Sequence, residues 1–286
     1  MRLRELAPGK INLCLFLGPV RGDGRHELVT LFESVSLADE LVISPSSADE
    51  VVAPGVEGSN LVSEALAGLR RRRWLAPPLR IEIDKRIPVA AGMGGGSADA
   101  AALLRVAPRI APVGAVEVAE LAVELGADVP AQLTPGVSVG TGAGEVVSWR
   151  AGLAEHALVI VPLDAALSTA AVYAEADRLG LGRGRDELQA RLAELDATLE
   201  PGGRLPDALH VNDLAPAAVS LCPPVEEALA AVRTAGADHA LVCGSGPTVA
   251  GVFWGADSED RARRAAAGLN DRFPRATVAL PVSSPS

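Results

Sequence analysis

Between residues 79 and 84 the chain alternates Leu79, Ile81 and Ile83 with Arg80, Glu82 and Asp84, the period of a strand with one buried and one wet face. "LRIEIDKRIP" (79–88) therefore reads as a strand, as does "DELVISP" (39–45). Between them "NLVSEALAGLRRRR" (60–73) sets Leu61, Ala65, Leu66 and Leu69 on one face of a helix, with Ser59 and Asn60 as candidate caps. The run Arg70 to Arg73 reads as a solvated face complementing the helix dipole rather than a polyanion site.

"SADAAALLRVA" (97–107) predicts a short helix that Pro108 ends near Ala107, because a residue before proline avoids helical geometry. "VEVAELAVELG" (116–126) carries Val118, Leu121, Ala122 and Leu125 on one side and stops at Gly126. "GVSVGTGAGEVVSW" (136–149) predicts two short strands around a glycine turn. "HALVIVPL" (156–163) starts a new block, which places a domain boundary near residue 152 and divides the chain into 1–152 and 153–286. The second part predicts helices at 169–178 and 185–199 and a Gly/Pro loop at 200–207. Helix 223–235, strand 239–243, the turn "GSGP", strand 248–253, helix 257–270 and strand 276–281 follow. That order implies an antiparallel sheet with helices on one face, and the fold class is α+β.

Composition narrows the partners. Aromatics are 3% of the chain, so aliphatic and alanine packing must fill the core. A formal net charge of -10 argues against nucleic acid or an anionic membrane surface, both of which select a basic face. Cys14, Cys222 and Cys243 are far apart, with neither a disulfide framework nor a zinc spacing. "MRLRELAPGK" lacks an apolar signal core, and no segment approaches the roughly 18 to 20 apolar residues that span a bilayer. The expected location is a reducing cytoplasm, as a monomer or homodimer.

The strand at 79–84, the glycines of "IPVAAGMGGGSADAAA" (87–102) and the helix after them form a layout for binding phosphate. Glycines let backbone N–H groups approach an anion at a positive helix end. A Walker A loop is excluded because no lysine follows the glycines, and the dinucleotide spacing Gly-x-Gly-x-x-Gly is absent. Ser97 is expected to cap the helix, with its hydroxyl also able to touch a phosphate or magnesium. Asp99 is expected to stabilise the helix N-terminus.

"PVAAGMGGGSADAAA" resembles the central signature of the GHMP kinases, which phosphorylate small alcohols. "APGKINLCL" (7–15) and "CGSGPTVAGVF" (243–253) resemble the family's other motifs, in the same order. Residues 9–41 and "LGADVP" (125–130) are similar to the branch whose acceptor is cytidine diphosphate methylerythritol. The resemblance implies an N-terminal mixed sheet with helices, a ferredoxin-like C-terminal domain, and substrates meeting between them. It also implies use of ATP with Mg2+ to phosphorylate the C2 hydroxyl of the methylerythritol unit in non-mevalonate isoprenoid synthesis.

By that resemblance the ATP phosphates lie on Val89, Ala90, Ala91, Gly92, Met93, Gly94, Gly95, Gly96, Ser97, Ala98 and Asp99, and Lys85, Asn60 and Leu61 lie near adenine. Asp128 is the implied general base and Lys10 its cationic partner, since a carboxylate can accept the hydroxyl proton and an ammonium favours the developing alkoxide. Asn12, two residues after Lys10, shares its face of a strand and is the implied ligand of the methylerythritol unit. His26 is implied to bind cytosine, and Tyr173, in "LSTAAVY" with Thr169, to stack on it. Relatives usually carry tyrosine before that histidine, where this chain has Arg25; a guanidinium plane can also stack on a base and pair with a phosphate. Relatives carry Gly-Asn where this chain reads Val211-Asn212. The metal ligands stay open, as do a kinase for another alcohol, such as homoserine or mevalonate, and a non-catalytic nucleotide-binding regulator.

Overall fold

The computed structural model describes residues 2–55 and 60–283, so the capping candidate Ser59 lies outside the described residues. Asn60 takes the cap, its side chain accepting from the Ser63 amide at 2.9 Å. The chain opens with a long hairpin, β1 (Leu3–Val20) and β2 (His26–Pro45). Every residue from Ala7 to Gly18 is buried. A strand covered on both faces is apolar throughout rather than alternating, and only the end of β2 carries a periodic signal. β1 lines one edge of β2; β4 (Leu79–Asp84) and β5 (Val137–Thr141) line the other. β3 (Glu50–Val52) runs parallel to β4 and β6 (Val146–Arg150) antiparallel to β5, so the sheet is mixed.

Helices α1 (Leu61–Arg71), α2 (Gly95–Ile110) and α3 (Ala115–Leu125) pack with this sheet. In α2, Ala98, Ala100, Ala101, Ala102 and Ala107 are 0% exposed. Alanine there lets backbones approach closely at no side-chain entropy cost. Two sequence expectations fail at the ends of α2. It starts at Gly95 behind Gly94, with no side-chain cap, so Ser97 lies inside the helix. It also continues through Pro108 to Ile110, because burial of Val106 and Ala107 overrides the local bias against helix before proline. The arginines ending α1 are not merely solvated either. Arg70 binds Asp49 and the carbonyls of Trp74, Ala76 and Pro77, and Arg72 meets Glu124.

The second half builds a four-stranded antiparallel sheet from β7 (His156–Val161), β8 (His239–Val242), β9 (Val249–Trp254) and β10 (Thr277–Ala279), in the order β10-β7-β9-β8. Along β7, Ala157, Val159 and Val161 face the cluster holding α8 (Pro224–Thr234) and α9 (Ser258–Leu269). Leu158 and Ile160 instead join the core shared with β1 and β2. Helices α5 (Thr169–Leu179), α6 (Arg185–Thr198) and α7 (Ala215–Leu221) lie between β7 and β8 in sequence. No described helix is long and apolar enough to cross a membrane.

Backbone bonds join the two halves of the chain. Leu15 bonds to Val211 at 2.7 Å and to Asp213 at 2.9 Å. Midway along β2, Ser36 N–H donates to Leu280 and Val282 N–H to Ser34. Inside the junction His156 Nε2 meets Glu33 at 2.8 Å, both side chains being buried. Burial alone pushes the His156 imidazole down, but the Glu33 carboxylate outweighs it and holds the group above its ordinary 6.5. The folded state therefore keeps a proton that the unfolded chain has released, so this stabilisation is full below pH 6.5 and is lost as pH rises through the raised value. Glu33→Gln should lower the unfolding free energy by about 1–3 kcal/mol at acidic pH, with a gap from wild type that narrows as pH rises. Urea titrations at about pH 6 and pH 8 read this directly; an equal gap at both would show the pair to be uncharged.

Candidate active site

The loop before α2 turns through left-handed backbone at Ala90 (φ +56), Gly92 (φ +74) and Gly94 (φ +66). A Cβ on Gly92 would lie 2.0 Å from the carbonyl oxygen of Cys243, so this loop seats directly on the "GSGP" turn from the other half of the chain. At the start of α2 the unpaired N–H groups of the first turn meet the positive end of the helix dipole.

Below this turn Lys85 Nζ reaches two carboxylates, Asp39 by a short contact and Asp99 at 2.8 Å. Asp39 also accepts the Ile87 amide at 2.7 Å. Burial drags the Lys85 ammonium down, but the carboxylates outweigh it and hold it above its ordinary value. Burial pushes Asp99 up to about 7 even against the pull of Lys85. Asp99 is thus a paired, buried acid rather than a surface complement to the helix end, as α2 begins earlier than the sequence suggests. Its Oδ1 is buried without a hydrogen-bond partner.

Lys10 lies across the floor. Its Nζ is 2.8 Å from Asn12 Oδ1 and 3.4 Å from Asp128 Oδ2, and its backbone N–H donates to Met93. The direction of the network is fixed. The Cys14 carbonyl can only accept, so the Thr30 hydroxyl donates to it at 2.7 Å and accepts from Asn12 Nδ2 at 2.7 Å. That turns Asn12 Oδ1 toward the ammonium. Asp128 stands at the head of α4 (Val129–Gln132), but its side chain makes no capping bond and faces Lys10 instead.

At the start of β2, His26 Nε2 lies 2.8 Å from Asp177 Oδ1, and its ring is 5.2 Å from that of Tyr173. Tyr173 and Asp177 are one turn apart on α5 and reach the same histidine. Burial first, then the negative charge of Asp128, raises the Tyr173 phenol to about 12, so it stays neutral. Arg25 is half-exposed and bonds to Asp23 at 3.2 Å. Thr169 meets Ser245 of the "GSGP" turn at 3.1 Å. Asn212 donates to the carbonyls of Val242 and Gly244 and so holds that turn from behind.

Most of these groups line one cavity of about 890 Å³, with Asp39 and Asn212 behind its wall. It brings together Lys10, Asn12, Arg25, His26, Asn60, Leu61, Lys85, Asp128, Thr169 and Tyr173 with the glycine loop. Met93 and Ala98 do not line it; their side chains are 1% and 0% exposed and serve the core. Sequence reasoning missed Thr30, Asp177, Ser245 and Asp39. Asp177 carried a signal, four residues after Tyr173 on a predicted helix, as did Ser245, inside the "GSGP" turn of the third motif. The lining of the cavity combines Lys10, Lys85, Asp99, Asp128 and the glycine loop with His26, Tyr173 and Asp177.

Known proteins resemble this chain in sequence and fold. The family description "GHMP kinases N terminal domain" matches residues 60–136, and "GHMP kinases C terminal" matches 192–275. A 4-diphosphocytidyl-2-C-methyl-D-erythritol kinase of Kineococcus radiotolerans is 40% identical over 93% of this chain and 85% of its own. One from Corynebacterium efficiens is 43% identical over 87% and 84%. A crystal structure of a 4-(cytidine 5'-diphospho)-2C-methyl-D-erythritol kinase superposes with a TM-score of 0.77 at 32% identity, covering 99% of this chain and 100% of that one.

Proposed function

The chain belongs to the GHMP kinase family, in the branch of its 4-diphosphocytidyl-2-C-methyl-D-erythritol kinase relatives, and from that premise we propose how its cleft performs the reaction. The protein transfers a phosphoryl group from ATP to the C2 hydroxyl of 4-diphosphocytidyl-2-C-methyl-D-erythritol, a step of non-mevalonate isoprenoid synthesis. The observation that carries the site assignment is the convergence of Lys10, Asn12 and Asp128 beside the glycine loop in a cavity also lined by His26 and Tyr173.

Phosphoryl transfer needs the phosphates held in line, their charge offset and the hydroxyl positioned. The amides of the loop from Val89 to Asp99 hold the phosphates, and Lys85, Asn60 and Leu61 lie toward the adenine. Magnesium fits the same turn. The orphaned Asp99 Oδ1 and the Ser97 hydroxyl would hold it, and when bound it offsets phosphate charge. Asp128 takes the hydroxyl proton as Lys10 steadies the developing negative charge. Asn12, aimed by Thr30, orients Lys10 and the methylerythritol unit. His26, held by Asp177, binds the cytosine, Tyr173 packs against it, and the Arg25 guanidinium supplies the second flat surface. The division at residue 152 puts the phosphate loop in one part and Tyr173 and Ser245 in the other. Three free, buried cysteines support a reducing compartment.

The deciding measurement is ADP release with the cytidylyl substrate set against mevalonate, homoserine and galactose. Turnover of the cytidylyl compound alone is expected; turnover confined to one of the other three overturns the assignment. A second expectation concerns Gly96, where a Cβ would meet only Leu61 Cδ1 at 3.8 Å. Gly96→Ala should leave stability unchanged or raise it by up to about 1 kcal/mol. It should raise the KM for ATP roughly tenfold, since a methyl group would stand where phosphate approaches the backbone. Melting and initial rates on one preparation test both halves, and an unchanged KM takes this amide out of the phosphate cradle.

A further inference from the structure

Two of the chain's 4 histidines meet outside the cleft. His210 follows the short turn Asp207–Leu209, and His239 opens β8; their rings stack with centroids 3.6 Å apart and planes 4° from parallel. Asp207 Oδ1 lies 3.1 Å from His239 Nε2. His210 Nδ1 faces the Pro206 carbonyl at 3.1 Å, and because a carbonyl only accepts, that nitrogen carries the proton. The lone pair is left on Nε2, which is buried and has no hydrogen-bond partner. One donor atom from each of the three side chains lies within 4.8 Å of the others.

We propose that Asp207, His210 and His239 bind one divalent ion of borderline softness, of the zinc type, with His210 ligating through Nε2. Two imidazoles and a carboxylate suit zinc, cobalt or nickel and not magnesium or calcium, which prefer all-oxygen shells. The carbonyl on His210 Nδ1 is the outer partner that ligating histidines characteristically have, and it presets the tautomer that ligation requires. Zinc holds nitrogen at ~2.0–2.1 Å, so the donors must draw in by about 1 Å. His210 is the buried, fixed ligand. Asp207, with its side chain 76% exposed, and His239, at 15%, lie at the rim and supply the movement, which separates the stacked rings. Arg204 also reaches Asp207 Oδ1 at 3.1 Å, a solvent-exposed contact that the ion replaces. The remaining coordination position opens to water. None of the three lines the catalytic cavity. The site would instead tie the turn at 207–210 to β8, the two segments that Asn212 joins behind Gly244, so its role is structural and independent of the kinase assignment.

The test uses the full chain without a polyhistidine tag. Zn2+ is titrated calorimetrically, and Co2+ serves as a visible-absorption probe of coordination geometry. One-to-one binding, a tetrahedral Co2+ spectrum and a higher melting temperature with Zn2+ are expected. His239→Gln, at the rim where folding is not at stake, and His210→Asn should each weaken binding roughly tenfold or more. No stoichiometric binding, or binding unchanged in His239→Gln, would overturn the proposal.

Discussion

Asp128→Asn is expected to lower kcat by roughly 10³-fold while leaving the KM for ATP within about twofold. Asparagine keeps the shape of the side chain but cannot take a proton from the acceptor hydroxyl. The surroundings make this a clean substitution. Asp128 makes no capping bond to α4, its side chain is 35% exposed, and its contact with Lys10 spans 3.4 Å. Stability should therefore move by no more than about 0.5 kcal/mol. ADP release with the cytidylyl substrate gives kcat, and thermal melting gives the control. Full activity would remove Asp128 as the base. A parallel fall in melting temperature would shift the cause from chemistry to folding.

Gly92→Ala is expected to abolish turnover, by more than about 100-fold, and to destabilise the protein by at least about 3 kcal/mol. A residue with a side chain at φ +74 already costs about 1–2 kcal/mol. Here the new methyl would also stand 2.0 Å from the Cys243 carbonyl and 3.0 Å from Gly246, so one loop must move. Both loops line the catalytic cavity, and a shift of about 1 Å in either misplaces the reacting groups. Melting should fall by roughly 6–12 °C for a chain of this size. A variant that melts like wild type would mean that the two loops do not touch.

Amphipathic elements and short apolar runs bounded by turns were the legible ones. β4 alternates because one face is wet and α1 shows helical spacing for the same reason, whereas β7 and β9 are buried throughout and read as short apolar runs, from which the antiparallel pairing of the second half followed. β1 and most of β2 were not legible, because burial on both faces erases periodicity. The bulge at Leu13, where the pairing steps from Asn12↔Phe32 to Cys14↔Leu31, has no local signal either. In the site, the glycine loop suggested a phosphate cradle by composition, whereas Lys10 and Asp128 were singled out only through the family motifs. Thr30 and Asp39 act through strand pairing and long-range contact, which no spacing along one chain encodes. Asp99 was misread because its meaning depends on where α2 begins, and that start is set by a left-handed glycine rather than by a serine cap.

The bonds from Leu280 and Val282 to β2, together with those of Leu15 to Val211 and Asp213, bear on hybrid enzymes. A protein made by grafting the second half of one kinase of this family onto the first half of another would inherit mismatched seams. It would need the Glu33–His156 pair, the Cys243–Gly92 contact and the closing segment at 280–282 transplanted as a set. Exchange of substrate preference by replacing α5, which carries Tyr173 and Asp177 on a single element, would in turn have to keep its packing on Leu15 and Leu17 and its contacts with His26 and Ser245.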